Sequence, residues 1–311
     1  MPEIIKAGSR KELKAFFSFS ETCGYTAGEC EYIQKYARAP GGIYLMCMHK
    51  GQPLARLLTW QTRGEGFFAL PDGDKAALSM LASEAVRLHT EAGSRCLRGP
   101  LMPDGSFVFT GLAGSGDEGR RGLFTSLPGR ERLEAFLDAG FEAECVFEAF
   151  TARIPSVNKY ASAAEWAAKR FQAKVSQIRE GAFFHDTARV AFDLERAHKR
   201  AYARTAEKLA PYIDTRFSYC VRDVNGAVRG CALTFKGDIP RVAVFVTYPP
   251  GKSRFATLML VSALMDSFIG CGITEVQLSV INSENRASLL LARAANAYKR
   301  QEFVQCNKNL I

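Results

Sequence analysis

The segment Pro249-Pro250-Gly251-Lys252-Ser253-Arg254-Phe255-Ala256-Thr257-Leu258 carries the residue types that bind a pyrophosphate. A β-branched run ending at Tyr248 precedes it, and an apolar helical stripe from Ser253 to Gly270 follows, so it reads as a strand-to-helix turn. The first N–H groups of a helix have no partner within the helix, and together with the helix dipole they favour an anion. Gly251, Ser253 and Ala256 are small enough to let a phosphate approach the backbone. Lys252 and Arg254 add cationic donors for phosphate oxygens. The competing explanation is a basic turn with no ligand. A second segment is Val280-Ile281-Asn282-Ser283-Glu284-Asn285-Arg286-Ala287-Ser288, where Asn285, and after it Asn282, reads as a cap of the next helix.

Other patterns carry less chemistry. Gly111-Leu112-Ala113-Gly114-Ser115-Gly116 fits neither a dinucleotide fingerprint nor a P-loop and reads as a loop. The histidines, at 49, 89, 185 and 198, show no metal spacing. The nine cysteines are odd in number and contain no Cys-x-x-Cys pair, which points away from zinc or a disulfide framework and toward a reducing compartment. Arg189, Arg196, His198, Lys199, Arg200 and Arg204 form a basic cluster that reads first as a solvated helix face. The net charge of +9 suits an anionic partner, although little aromatic–basic interleaving argues against nucleic acid. No stretch has the roughly 20 apolar residues of a membrane span, and the polar N-terminus has no signal core, so the expected location is cytoplasmic.

With 311 residues the chain is long enough for two domains. Ser9-Arg-Lys-Glu12 has capping-box spacing and opens a helix. A second helix follows at 26–37. Ile43–His49 and Leu54–Trp60 flank a Gly/Pro turn as a hairpin, and Gly66–Leu70 is a third strand. Asp74–Glu91 is helical, Arg95–Gly99 a strand, Arg130–Ala139 a helix and Phe141–Arg153 a strand. The second half repeats this order. Helices fall within 161–177 and 187–209, and strands at 217–222 and 228–235 flank the hairpin signal Asn225-Gly226. Strand 241–247, helix 253–270, strand 273–280, helix 284–295 and strand 301–306 complete it. The linker falls near Ile154-Pro155-Ser156.

This recurring order resembles the GNAT superfamily of acyl-CoA N-acyltransferases. The Pro249–Leu258 turn is similar to the family's cofactor loop, Arg/Gln-x-x-Gly-x-Gly/Ala, with Gly251 in the Arg/Gln position and Arg254 in that of the middle Gly. Val280–Ser288 resembles its strand–Asn–helix motif, in which the Asn holds the pantetheine arm. The first half resembles tandem GNAT-like proteins at Arg98-Gly99-Pro100-Leu101, at Gly111-Leu112-Ala113, and over Arg132–Phe141, which ends in Ala-Gly-Phe.

The resemblance implies an α/β (α+β) fold of two tandem GNAT-like domains, each a mixed, mostly antiparallel central sheet flanked by helices. Residues 1–154 would form a degenerate copy, since its turn, Leu70-Pro71-Asp72-Gly73-Asp74-Lys75, is acidic and would repel a pyrophosphate. Residues 155–311 would hold acetyl-CoA or another acyl-CoA through Val246, Tyr248, Gly251, Lys252, Ser253, Arg254, Ala256, Thr257 and Asn285. Backbone N–H groups near Val246 would polarise the thioester carbonyl. The family's Tyr acid maps to Ala292 counting from Asn285, or to Tyr298 counting back from Phe303, which makes Tyr298 the catalytic candidate. Asp214, Asp238 and Glu284 are candidate bases. The implied function is N-acyl transfer, acetyl transfer first, to a small-molecule or peptide amine, by a monomer whose two halves form a pseudo-dimer, or by a homodimer. The alternatives are a non-catalytic GNAT-like binding protein and a transferase using aminoacyl-tRNA.

Overall fold

A computed structural model describes residues 1–106, 108–116, 124–179, 181, 185–186, 207–249 and 253–311. They divide into two compact units. Unit 1 comprises Met1–Ala149, Asn282–Asn285 and Arg300–Ile311; unit 2 comprises Phe150–Ile281 and Arg286–Lys299.

Unit 1 opens with β1 (Glu3–Lys6), a strand with no signal in the sequence reading, and two capped helices. In α1 (Arg10–Thr22), Ser9 Oγ accepts the Glu12 N–H at 3.2 Å while the Glu12 carboxylate accepts the Ser9 N–H at 2.9 Å, as the spacing predicts. In α2 (Ala27–Tyr36), Thr26 and Glu29 repeat the device. The strands β2 (Ile43–His49), β3 (Gln52–Thr62) and β4 (Glu65–Gly73) form an antiparallel meander. Its first turn closes at Lys50 and Gly51, both with positive φ, where glycine is at ease. Helix α3 (Lys75–Glu91) leads to β5 (Cys96–Gly99), which pairs parallel to β4 at Gly66↔Leu97 and Phe67↔Arg98. The segment predicted as a loop contains a short strand, β6 (Leu112–Gly116). After α4 (Glu131–Asp138) comes β7 (Glu142–Arg153).

The last strand, β13 (Tyr298–Asn309), pairs antiparallel with β5 at Cys306↔Gly99 and with β6 at Phe303↔Ala113. A cut at 154/155 would leave Arg300–Ile311 with the second half; the structure packs that segment into unit 1, in the strand order β1-β2-β3-β4-β5-β13-β7. The reason is side-chain burial. Val304 and Cys306 lie in the core of unit 1 beside Phe68, Leu81, Phe136 and Phe141.

Unit 2 repeats the arrangement, with β8 (Lys174–Gln177), β9 (Tyr219–Arg222), β10 (Val228–Phe235), β11 (Arg241–Thr247) and β12 (Glu275–Asn282) in the order β8-β9-β10-β11-β12. The first three pairings are antiparallel and β11–β12 is parallel. The Asn225-Gly226 hairpin forms, held by Asp223 Oδ1, which accepts the Asn225 and Ala227 N–H groups. Among the described residues the sheet is flanked by α5 (Ala161–Phe171), α6 (Arg254–Gly270) and α7 (Arg286–Ala294). The helix expected within 161–177 is α5, which ends before the range does. Gln172 takes a left-handed φ of 47° and ends α5, and the chain continues as β8. The predicted helix at 187–209, with its basic cluster, lies outside the described residues except for its last turn. No helix of the described residues is long and apolar enough to cross a membrane.

Candidate functional site

The site develops where β11 runs into α6. The strands β11 and β12 are in register at Arg241↔Gln277 and Val242↔Leu278, and among the described residues at no later pair, although β11 continues to Thr247 and β12 to Asn282. The far half of β11 therefore has backbone groups on that edge without a ladder partner. Which groups these are follows from the other edge. The Tyr248 N–H donates to Arg229 O at 2.8 Å across to β10. N–H directions alternate along an antiparallel strand. The N–H of Val246, opposite Cys231, thus also faces β10. The N–H groups of Phe245 and Thr247 face the open edge. Sequence reasoning placed the donors near Val246, and the strand register points to its two neighbours.

The start of α6 is unusual for what it lacks. Ser253 is 2% exposed, and its hydroxyl donates back to Tyr248 O at 2.5 Å instead of capping the helix. No side chain caps α6. Ser253 O accepts the Ala256 N–H at 3.0 Å and the Thr257 N–H at 3.3 Å, leaving the N–H groups of Arg254 and Phe255 pointing out of the helix start. Arg254 is exposed, and among the described residues it has no ion-pair partner. Ala256 is fully buried against Met259 and Leu260, so its small size serves helix–sheet packing. Gly251 and Lys252 lie outside the described residues.

The matching turn in unit 1 is closed by its own acids. Asp74 caps α3, its Oδ1 accepting the Ala77 N–H at 2.9 Å. Lys75 is engaged by Glu134 at 3.0 Å and Asp138 at 3.2 Å. Asp72 is buried, and its Oδ2 receives Arg56 Nε at 2.9 Å and Nη2 at 2.6 Å while its Oδ1 accepts the Tyr25 hydroxyl at 2.9 Å. Gly73 between them has φ 128°, and a Cβ there would come within 2.3 Å of Leu54 O. The expectation that the acids repel a pyrophosphate is sharpened: one is neutralised inside the core and the other occupies the helix N-terminus.

The remaining candidates are dispersed. Asn282 Oδ1 accepts the Glu284 N–H at 2.8 Å, and the Asn285 N–H donates to Asn282 O at 2.8 Å, so the two shape the turn into α7. Asn285 is exposed and clusters with unit 1, whereas Val246 to Thr257 lie in unit 2. Ala292 is buried. Tyr298 does not join the site. Its hydroxyl lies 3.4 Å from Glu275 Oε1, at the start of β12. The open ends of the parallel strands are at the other end of β12, on the order of 20 Å away at the usual rise per residue. Among the candidate bases, Asp214 is held by Arg216 at 2.7 Å, which pulls its pKa below the ordinary value and leaves it a poor proton acceptor. Among the described residues no group of His, Cys, Asp or Glu could hold a metal ion.

No protein-family profile and no curated protein sequence matches the chain. Solved structures do. A tandem GNAT protein from the clavulanic acid biosynthesis pathway is similar over 100% of this chain and 99% of its own, with 9% identity and a TM-score of 0.62. A GCN5-related N-acetyltransferase from Sphaerobacter thermophilus is similar over 99% of this chain and 96% of its own, with 11% identity and a TM-score of 0.57. Another from Anabaena variabilis covers 100% of this chain and 73% of its own, with 11% identity and a TM-score of 0.52. The chain has the tandem GNAT fold.

Proposed function

We propose that the protein is an acyl-CoA-dependent N-acyltransferase whose donor is held by unit 2. The observation that carries this reading is the contrast between two equivalent helix starts: α3 is capped by Asp74, whereas α6 has no side-chain cap and presents Arg254 beside its first N–H groups. These groups suit a pyrophosphate. Gly251 and Lys252, which precede Ser253 in sequence, would add phosphate contacts, as the family resemblance implies. Acyl-CoA bound there supplies an activated thioester carbonyl. The Thr247 and Phe245 N–H groups, aimed at the open edge of β11, are the donors for its oxygen. The cofactor residues Ser253 and Tyr248 act through the backbone, since the Ser253 hydroxyl fixes the Tyr248 carbonyl and so the shape of the turn. The acceptor is an amine, on a small molecule or a peptide, deprotonated through water.

A second reading, binding without turnover, is favoured by the position of Tyr298, which leaves no side-chain acid assigned to the departing thiolate. Calorimetry with acetyl-CoA followed by a thiol-release assay over a panel of amines separates the two. Binding with thiol release supports the enzyme, and binding alone supports the second reading. An absence of heat at protein and ligand concentrations of hundreds of micromolar would sink both.

A further inference from the structure

Unit 2 carries an exposed aromatic ladder beside the α6 turn. Trp166 is 62% exposed and Phe171 45%. The Trp166 ring meets the edge of Phe171 at a centroid distance of 6.4 Å, and Phe171 stacks on Phe255 at 4.5 Å with 15° between the planes. Phe255 follows Arg254 in the first turn of α6. The ladder thus runs from the surface of α5 to the helix start whose N–H groups are uncapped. Packing fixes α5 in this position. Ala164 and Ala167 are buried in the core of unit 2 with Ala256 and Met259. Asn158, just before α5, donates to Ser262 and Asp266 far along α6, so the C-terminal end of α5 lies beside the N-terminal end of α6. None of this packing uses the exposed face of Trp166.

Cations border the ladder. Arg170 stands one turn after Trp166 on the same helix face, exposed and, among the described residues, without an ion-pair partner. Arg254 is equally uncommitted. Two rings make a patch far smaller than the about 800 Å² per partner of a stable protein interface. A flat aromatic face flanked by guanidinium groups suits a nucleotide, whose base stacks and whose phosphates pair with arginine.

We propose that Trp166 is a stacking platform for the adenine ring of the bound coenzyme A, with Arg170 facing its ribose phosphate. The inference rests on the reading of the α6 turn as the pyrophosphate site. Only a ribose separates pyrophosphate from adenine, so the base must land within one sugar of the α6 start, where the ladder lies.

The test uses the full chain and three probes: coenzyme A, adenosine 3′,5′-bisphosphate and 4′-phosphopantetheine, which lacks the nucleotide. Trp60 is buried, so quenching by a surface-stacked base reports on Trp166. Adenosine 3′,5′-bisphosphate is expected to quench the wild-type fluorescence. By calorimetry, Trp166→Ala is expected to weaken coenzyme A about tenfold or more, with Trp166→Phe recovering most of the loss and phosphopantetheine binding unchanged. Arg170→Ala is expected to weaken coenzyme A more than its 3′-dephospho form. Unchanged coenzyme A affinity in Trp166→Ala overturns the platform and leaves the pyrophosphate reading standing. An equal loss for phosphopantetheine also overturns it, as a merely structural effect. A wild-type protein that binds neither coenzyme A nor phosphopantetheine overturns both readings.

Discussion

Replacing Asp72 by Asn isolates what the acidic turn of unit 1 does. Arg56 is fully buried, and its guanidinium has two kinds of partner: the Asp72 carboxylate, through Nε and Nη2, and the carbonyl oxygens of Phe16 and Phe17, through Nη1. Asp72→Asn removes the paired counter-charge and leaves a cation in the core. Breaking a buried pair this way costs about 3–5 kcal/mol, far more than the loss of an exposed pair such as Arg87–Glu91. Removing only the Tyr25 hydroxyl, which donates to the other carboxylate oxygen, costs about 1.5–3 kcal/mol. The assay is urea unfolding in a Trp166→Phe background, where buried Trp60 becomes a reporter internal to unit 1. With a urea slope of about 2–3 kcal/mol per M, Asp72→Asn moves the Trp60 midpoint down by roughly 1–2 M. The double change Arg56→Met, Asp72→Leu recovers most of that loss, because two apolar groups need no partner. A single-variant shift below roughly 0.3 M, or a double variant no better than the single, would refute the assignment of Asp72 to the core.

Three further outcomes follow from the same contacts. Asp74→Ala removes the cap of α3 and lowers unit 1 stability by about 1 kcal/mol in the same assay, without creating acyl-CoA binding there. Arg254→Glu weakens acetyl-CoA about ten- to a hundredfold by calorimetry, with the melting temperature unchanged because the residue is exposed. His89 is buried between Thr59 and Ser94, and burial lowers its pKa. Its neutral form stabilises the fold above the ordinary histidine value of about 6.5, and that contribution is lost as pH falls from there through the depressed folded value. A melting temperature that drops over this range in the wild type but less so in His89→Gln is the expected result.

The sequence was most legible where short-range chemistry decides. The Ser9–Glu12 box, the Asp74 helix start and the Asn225-Gly226 hairpin need only neighbouring residues, and each forms as read. The strand-to-helix turn before α6 could be placed, because a β-branched run and an apolar helical stripe bracket it. Long-range pairing was not legible. Nothing local to the segment Arg300–Ile311 says that Val304 and Cys306 pack with Phe68 and Phe136, since an apolar alternation does not name its partner sheet. The same limit left the donors near Val246 unresolved: a strand's residues are visible in sequence, but which N–H groups face an open edge depends on the register with β10. Tyr298 was reached by counting back from Phe303, and the structure puts it at the start of β13, beyond the end of α7 at Ala294.

The return of the last strand to unit 1 bears on how the chain is made. The β5–β13 ladder joins Cys96–Gly99 to Cys306–Asn309, so its two strands leave the ribosome some two hundred residues apart. At about 5–20 residues per second, the first unit waits roughly 10–40 s for the strand that fills its sheet. Among the described residues, unit 2 takes no segment from beyond Lys299. The half that is synthesised first is thus the half that finishes last, and a nascent chain paused before Arg300 would expose the β5 edge for that whole interval.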